Sequence, residues 1–215
     1  MTVRPLSPAN SLAKYLPDRT DLDLITNMIE PGARVLDVGC GDGELLERLR
    51  AARGVDGRGM ELSQEGVNAS VARGLAVVQG DADTDLVDYP DDAFDFVILS
   101  QTIQQSRNPA AVMRQIRRIG RHAIVSFPNF GHWRVRLSLL FEGRMPLTNR
   151  LGDAWYDTPN IHLCTLRDFL DLCADVELQI QEVTIIRNGR RTRIDAPGRF
   201  ANLMAEDAVF LLSRT

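Results

Sequence analysis

The sequence predicts an α/β fold, a seven-stranded, mostly parallel sheet with helices on both faces and an antiparallel last strand. Three observations carry this reading. Residues 35–43 read Val-Leu-Asp-Val-Gly-Cys-Gly-Asp-Gly, an apolar strand that breaks into closely spaced glycines and then becomes helical. Beyond it, β-prone runs alternate with helical patterns, as they must where a parallel sheet is covered on both faces. Phe94 to Leu99 is a nearly unbroken apolar run of the kind found in a central strand.

The elements follow in order. The strand beginning at Val35 leads through the glycine turn into a helix from Glu44 to Ala52, and a short strand from Val55 to Met60 ends at Glu61. Ser63 opens a helix to Arg73, and a third strand covers Leu75 to Val78. After the Phe94 strand, Asn108 and Pro109 form a helix start, a capping side chain followed by proline at the first helical position, for a helix running to Ile119. His122 to Phe127 is the fifth strand. Thr165 with Asp168 makes an acidic variant of the capping box before the apolar residues Phe169, Leu170 and Cys173. Strands at about Gln179 to Ile186 and Ala208 to Leu212 close the sheet, and Asn188 with Gly189 is a hairpin signal between Thr184 to Arg187 and Arg190 to Ile194.

Composition narrows the function. At 215 residues, 44% hydrophobic and 25% charged, the chain reads as one globular domain spanning 1–215, without repeats or low-complexity tracts. No apolar run approaches the ~20 residues that cross a bilayer. Met1 to Asn10 lacks the pattern of a secretory signal, so a cytoplasmic protein is expected. A net charge of −4 argues against general nucleic-acid binding. Cys40, Cys164 and Cys173 are odd in number and lack metal-ligand spacing, so neither a disulfide framework nor a metal site is expected.

The glycine turn is the first candidate site, because side chains there would bar a nucleotide from the backbone. Gly39, Gly41 and Gly43 form G-x-G-x-G, whereas dinucleotide binding calls for G-x-G-x-x-G. Asp37, two residues before the first glycine, suits a cationic or neutral ligand better than a pyrophosphate. The pattern resembles motif I of class I S-adenosylmethionine (SAM) methyltransferases. Glu61, 22 residues past Gly39, can accept both ribose hydroxyls of a nucleoside, a role shared by SAM and NAD proteins. Asp81 stands where such methyltransferases hold the adenine amino group, with the next amide, of Ala82, donating to the ring; it also reads as a turn-forming Asx residue. The resemblance thus implies a Rossmann-like site made of Asp37, Gly39, Cys40, Gly41, Glu61, Leu62, Asp81, Ala82, Ser100 and Gln101. Ser100, Gln101 and Thr102 follow the fourth strand, where they face a substrate or simply cap the next helix. An NAD-dependent oxidoreductase is disfavoured by the glycine spacing and by Asp37.

Between the fifth strand and the capping box lies a segment, about 128–164, that a minimal methyltransferase would not need. It contains PNFGHWRVR, GRMP and WYDTPNIHLCT, the last ending at Thr165. With motif I and QTIQQSRNP at 101–109, these phrases resemble the MetW family, the bacterial methionine-biosynthesis protein W. The resemblance covers roughly residues 20–187. It implies a class I methyltransferase fold, a role in methionine biosynthesis, SAM or S-adenosylhomocysteine as ligand, and partnership with homoserine O-acyltransferase, but no agreed methyl acceptor.

The segment is read either as an active-site lid or as a partner surface. Phe130, Trp133, Trp155 and Tyr156 could close over a sulfonium and favour it through their ring faces. The spacing of Trp133 with Leu137, Leu140 and Phe141 is that of a helical stripe buried in the core. His132, Tyr156 and His162 are the candidate catalytic groups, and a base is needed only for a protonated acceptor. Arg134, Arg136, Arg144 and Arg150 face only Glu142, a local excess of +3 that suits a carboxylate substrate or an acidic partner. Arg134 and Arg136 do not share one helical face, which favours the partner. Two roles follow, a SAM-dependent methyltransferase acting on a small molecule and a non-catalytic SAM-binding regulatory subunit of the acyltransferase.

Overall fold

A computed structural model describes residues 20–148, 151 and 154–214. Met1 to Asn10 and Arg150, both used above, lie outside the described residues. The described residues build a single sheet in the order β3-β2-β1-β4-β5-β8-β6-β7. Its strands are β1 (Arg34–Val38), β2 (Asp56–Glu61), β3 (Ala76–Gln79), β4 (Phe94–Ser100), β5 (Gly120–Pro128), β6 (Leu178–Arg187), β7 (Arg190–Ile194) and β8 (Asp207–Arg214). The first five pair in parallel, and β8 enters antiparallel between β5 and β6. The sheet has eight strands rather than the expected seven. The extra one, β7, is the second arm of the Asn188 and Gly189 hairpin, whose central residues hold φ 47° and 71°. Both angles are positive, as a two-residue turn needs if its twist is to match the strands.

Helices cover both faces. Alternate residues of each strand point to opposite sides, so Val35, Ile98 and Ile124 pack with α1 (Thr20–Met28) and α2 (Glu44–Arg53), while Leu36, Val97 and Phe127 pack with α4 (Pro109–Ile119) and α6 (Leu166–Asp175). Helix α3 (Gln64–Ala72) runs between β2 and β3, capped by the Ser63 hydroxyl, which accepts from the Gly66 amide. The cap of α4 forms as expected, with Asn108 accepting from the Ala111 amide. The reciprocal Thr165 and Asp168 box opens α6. Helix α1 was not expected, although Leu22, Ile25 and Ile29 recur at helical spacing and are fully or almost fully buried.

The segment after β5 departs from expectation most. It forms a short helix, α5 (Trp133–Leu137), followed by a π-helical turn (Ser138–Glu142). Its ends are held together, because the Phe130 amide donates to the Cys164 carbonyl at 2.9 Å. The Asn129 side chain donates to the carbonyls of Asn202 and Ala205, tying the base to α7 (Arg199–Met204). The stripe expected in the core is on the outside: Leu140 is 73% exposed, Phe141 77%, Leu137 41% and Trp133 37%. Val135 alone among the residues of α5 is buried. Helical spacing marks which residues share a face; it does not tell which way that face turns.

Phe127, Phe169 and Phe210 form the centre of the core, with ring centroids 4.7 to 5.7 Å apart. Phe169→Ala should cost about 3–5 kcal/mol of stability, the usual cost of deleting a fully buried ring. Urea unfolding of the two proteins gives the comparison.

Candidate functional site

The strand order reverses between β1 and β4, and ligands of open α/β sheets bind at the carboxyl ends flanking such a reversal. Asp37 to Gly41 leave β1 on one side of this point and Ser100 to Thr102 leave β4 on the other. A Cβ at Gly39 would stand 2.6 Å from the Thr102 side chain, so only glycine lets the two chain ends approach. Gly41 is the opposite case. Its φ is 57° and nothing lies within 4 Å of where a Cβ would be, leaving open space in front of the backbone.

Glu61, at the end of β2, holds this turn in place. One carboxylate oxygen accepts from the Gly41 amide at 2.9 Å and the other from the Ser63 amide at 2.8 Å. Each oxygen keeps a second lone pair, enough to receive the two hydroxyls of a ribose. The Ser70 hydroxyl donates to the Gly41 carbonyl at 3.0 Å, so the glycine is fixed from both sides. Asp37, 1% exposed, is buried beneath the turn. Leu62, next to Glu61, is exposed, with its side chain available to a bound ring.

Asp81 follows β3. It forms the Asx turn considered as its plain reading, accepting from the Asp83 amide at 2.9 Å. Its other oxygen pairs with Arg107 at 2.5 Å. Arg107 also reaches Asp83, whose carboxylate accepts from the Arg107 and Asn108 amides. An adenine amino group at Asp81 would use a remaining lone pair or displace Arg107, whose side chain is mostly exposed. Arg107 was quoted in the 101–109 phrase but not singled out, because an ion pair 26 residues apart leaves no local pattern.

The β4 end is tightly organised. Gln101 holds φ 60°, uncommon for a residue with a side chain. Its carbonyl accepts from the side chains of both Gln104 and Gln105, and its amide donates to the Ser126 carbonyl. The Ser100 hydroxyl donates to Asp21 at 3.0 Å and that of Ser126 does so at 3.3 Å. Asp21 is a buried carboxylate from α1 that sequence reasoning missed together with its helix.

The candidate catalytic groups occupy three different settings. His132 is buried at the start of α5, and burial holds its imidazole below the usual range, hence neutral at pH 7. His162 is exposed over the 3-10 turn Ile103–Gln105: its amide donates to the Gln104 carbonyl at 2.9 Å and its ring nitrogen lies 3.4 Å from the Arg107 carbonyl. Tyr156 is exposed, edge-on to Trp155 at 5.7 Å. No hydrogen bond among the described residues joins the three.

An eight-stranded sheet in this order, parallel through its first five strands with an antiparallel strand inserted beside β5, has the class I SAM-dependent methyltransferase fold. Solved structures agree. A SAM-dependent methyltransferase from Thermotoga maritima, described as a possible histamine N-methyltransferase, superposes with a TM-score of 0.66 at 17% identity, over 91% of this chain and 88% of that one. A SAM-dependent methyltransferase from Mesorhizobium loti gives 0.67 at 16% identity, over 92% and 99%. The [4+2]-cyclase SpnF gives 0.63 at 18% identity, over 90% and 80%. The chain belongs to the MetW family: the model for methionine biosynthesis protein MetW matches residues 19–212. It is 34% identical over 203 residues to the bifunctional methionine biosynthesis protein MetXA/MetW of Rhodopirellula baltica, covering 90% of this chain and 32% of that protein. The chain thus spans about a third of the length of this relative.

The thiols give a test of the buried turn. Burial first, and then the charges of Asp37 and Glu61, push the Cys40 thiol up to about 12; burial pushes Cys164 and Cys173 to about 12 as well. In the unfolded chain these thiols ionise near pH 8.5, so the stabilisation is complete below that pH and is lost as pH rises towards 12. Lys14 is the single lysine, so amine titration contributes little in this window. The urea midpoint should fall steadily from pH 8.5 to 11, and Cys40→Ala should flatten that decline.

Proposed function

We propose that this chain binds SAM and its product S-adenosylhomocysteine at the carboxyl edge of β1, β2 and β3, and that it works in methionine biosynthesis alongside homoserine O-acyltransferase as a SAM-dependent methyltransferase. One observation carries the reading. The Glu61 carboxylate pins the Gly41 amide and still has a lone pair free on each oxygen, next to open space at Gly41. That is the geometry a ribose diol needs.

In this reading Gly39, Cys40 and Gly41 bring backbone up to the ligand, Asp37 supplies negative charge from beneath the turn to its cationic end, Glu61 takes the ribose, and Leu62, Asp81 and Ala82 take the adenine. Ser100 and Gln101 border the reacting end. When bound, SAM supplies a methyl group on a sulfonium, and the chain's own part is to orient an acceptor in line and exclude water. His132, Tyr156 and His162 are the residues proposed to face that acceptor. A neutral His132 is in the protonation state a base requires.

The partnership draws support from the fused relative, whose name joins MetXA and MetW in one polypeptide. Fusion holds two sites at millimolar effective concentration and suits proteins that act together. A second reading, a SAM-binding regulatory subunit without methyl transfer, is favoured by the different settings of His132, which is buried, and Tyr156 and His162, which are exposed.

Calorimetry with SAM, S-adenosylhomocysteine and NADH tests the cofactor. The first two should bind and NADH should not, and Glu61→Gln should weaken binding about 10- to 100-fold, as expected for losing charge-assisted hydrogen bonds. Equal binding of NADH would overturn the assignment. Methyl turnover on homoserine-like acids, abolished by Asp37→Ala, would establish the enzyme; unchanged acid together with altered acyltransferase rates would establish the regulator.

A further inference from the structure

Helix α5 and the π-helical turn after it present their apolar side chains to solvent. Trp133, Leu137, Leu140 and Phe141 fall at helical spacing i, i+4, i+7 and i+8, and all four are exposed, the last two by about three-quarters (73% and 77%). Leaving large apolar side chains in water forgoes the stabilisation of burying them, and a continuous stripe of them is unusual on a monomer. The stripe does not rest on a loosely held segment. Arg136 Nε donates to the Gly131 carbonyl at 2.7 Å, the Gly131 amide donates to Asn129, and Phe130 is bonded to Cys164. A rigid base with an outward apolar ridge is the form of a helix that lies in another protein's groove.

We propose that this ridge is the surface through which the chain docks onto homoserine O-acyltransferase. The inference rests on the partnership proposed above and deepens it by assigning the face. Two features fit that occupant. The relative from Rhodopirellula baltica joins MetXA and MetW in one chain of which this sequence matches 32%, leaving room for a complete second protein beside it. The ridge is also bordered by Arg134 and Arg136, and Arg134 stacks on the Trp133 ring at 5.3 Å. Such an edge suits an apolar groove rimmed by carboxylates, and Trp and Arg are among the residues enriched at the energetic centres of interfaces.

The test is calorimetric titration of this chain with purified homoserine O-acyltransferase, repeated with Leu140→Glu/Phe141→Glu, with Leu140→Ala/Phe141→Ala, and with Phe200→Glu as an exposed apolar control elsewhere. Binding should fall about 30-fold or more in both double variants, as for a hot spot, and stay unchanged in the control. S-adenosylhomocysteine affinity and the melting curve should match the parent throughout, because these side chains are exposed. If the parent binds the acyltransferase and the double variants bind it equally well, the face is wrong and the partnership stands. If the parent does not bind it at all, the partnership fails and this proposal with it. Loss of S-adenosylhomocysteine affinity with the partner still bound would make the ridge a lid. A dimer of this chain dispersed by the double variants would assign the ridge to a second copy. Either result overturns the proposal.

Discussion

The Glu61 carboxylate is the constraint on which the site depends. It stands at the end of β2, yet its two oxygens fix the Gly41 amide of the β1 turn and the Ser63 amide that opens α3. The packing around it is too close for larger residues: a Cβ at Gly66 would lie 2.8 Å from Glu61 Cγ and 2.9 Å from the Gly41 carbonyl. Charge-assisted bonds of this kind are about twice as strong as neutral ones. A turn of three glycines would otherwise sample many conformations, and the carboxylate removes that freedom before any ligand arrives, which lowers the entropy cost of binding.

The opposite wall of the switch point is organised differently. There the order comes from backbone strain and buried hydroxyls instead of a charge. Gln101 is held at positive φ by two side-chain amides converging on its carbonyl, and Ser100 and Ser126 both reach the buried Asp21 of α1. A residue in this region of backbone space costs on the order of 1–3 kcal/mol and persists only where its surroundings over-determine it. Helix α1 therefore does more than cover the sheet: it supplies the acceptor that locks the end of β4 against β5.

Most of the sheet could be read from the sequence because its signals are local. Alternation, glycine spacing, the Asn108 and Pro109 start and the Thr165 box each act within a few residues, and each is present in the structure. The acidic strand ends fell on one edge because strand direction alone puts them there. What escaped has the other character. The Asp81 and Arg107 pair, the Asp21 network and the Asn129 anchor to α7 join residues 26 to 105 positions apart. Helix α1 carried a readable period at Leu22, Ile25 and Ile29 and a Pro31-Gly32 stop behind it, and was missed because it precedes the first strand, outside the strand-and-helix alternation that was followed.

The inversion of α5 has a different cause. Periodicity reports that Trp133, Leu137, Leu140 and Phe141 share a side, and burial of that side is inferred only because water penalises leaving it open. The inference assumes that the chain itself must provide the cover. A five-residue helix is far too short to be stable by propensity, so its form is imposed by Val135 packing inward and by Arg136 bonded to the Gly131 carbonyl. Since the helix is held by the contacts beneath it, its outer face is under no requirement from folding. Apolar residues kept there work against solubility with no folding gain in return. Local and global preferences agree nearly everywhere else in this chain, and the sites where they part are those where function is to be sought.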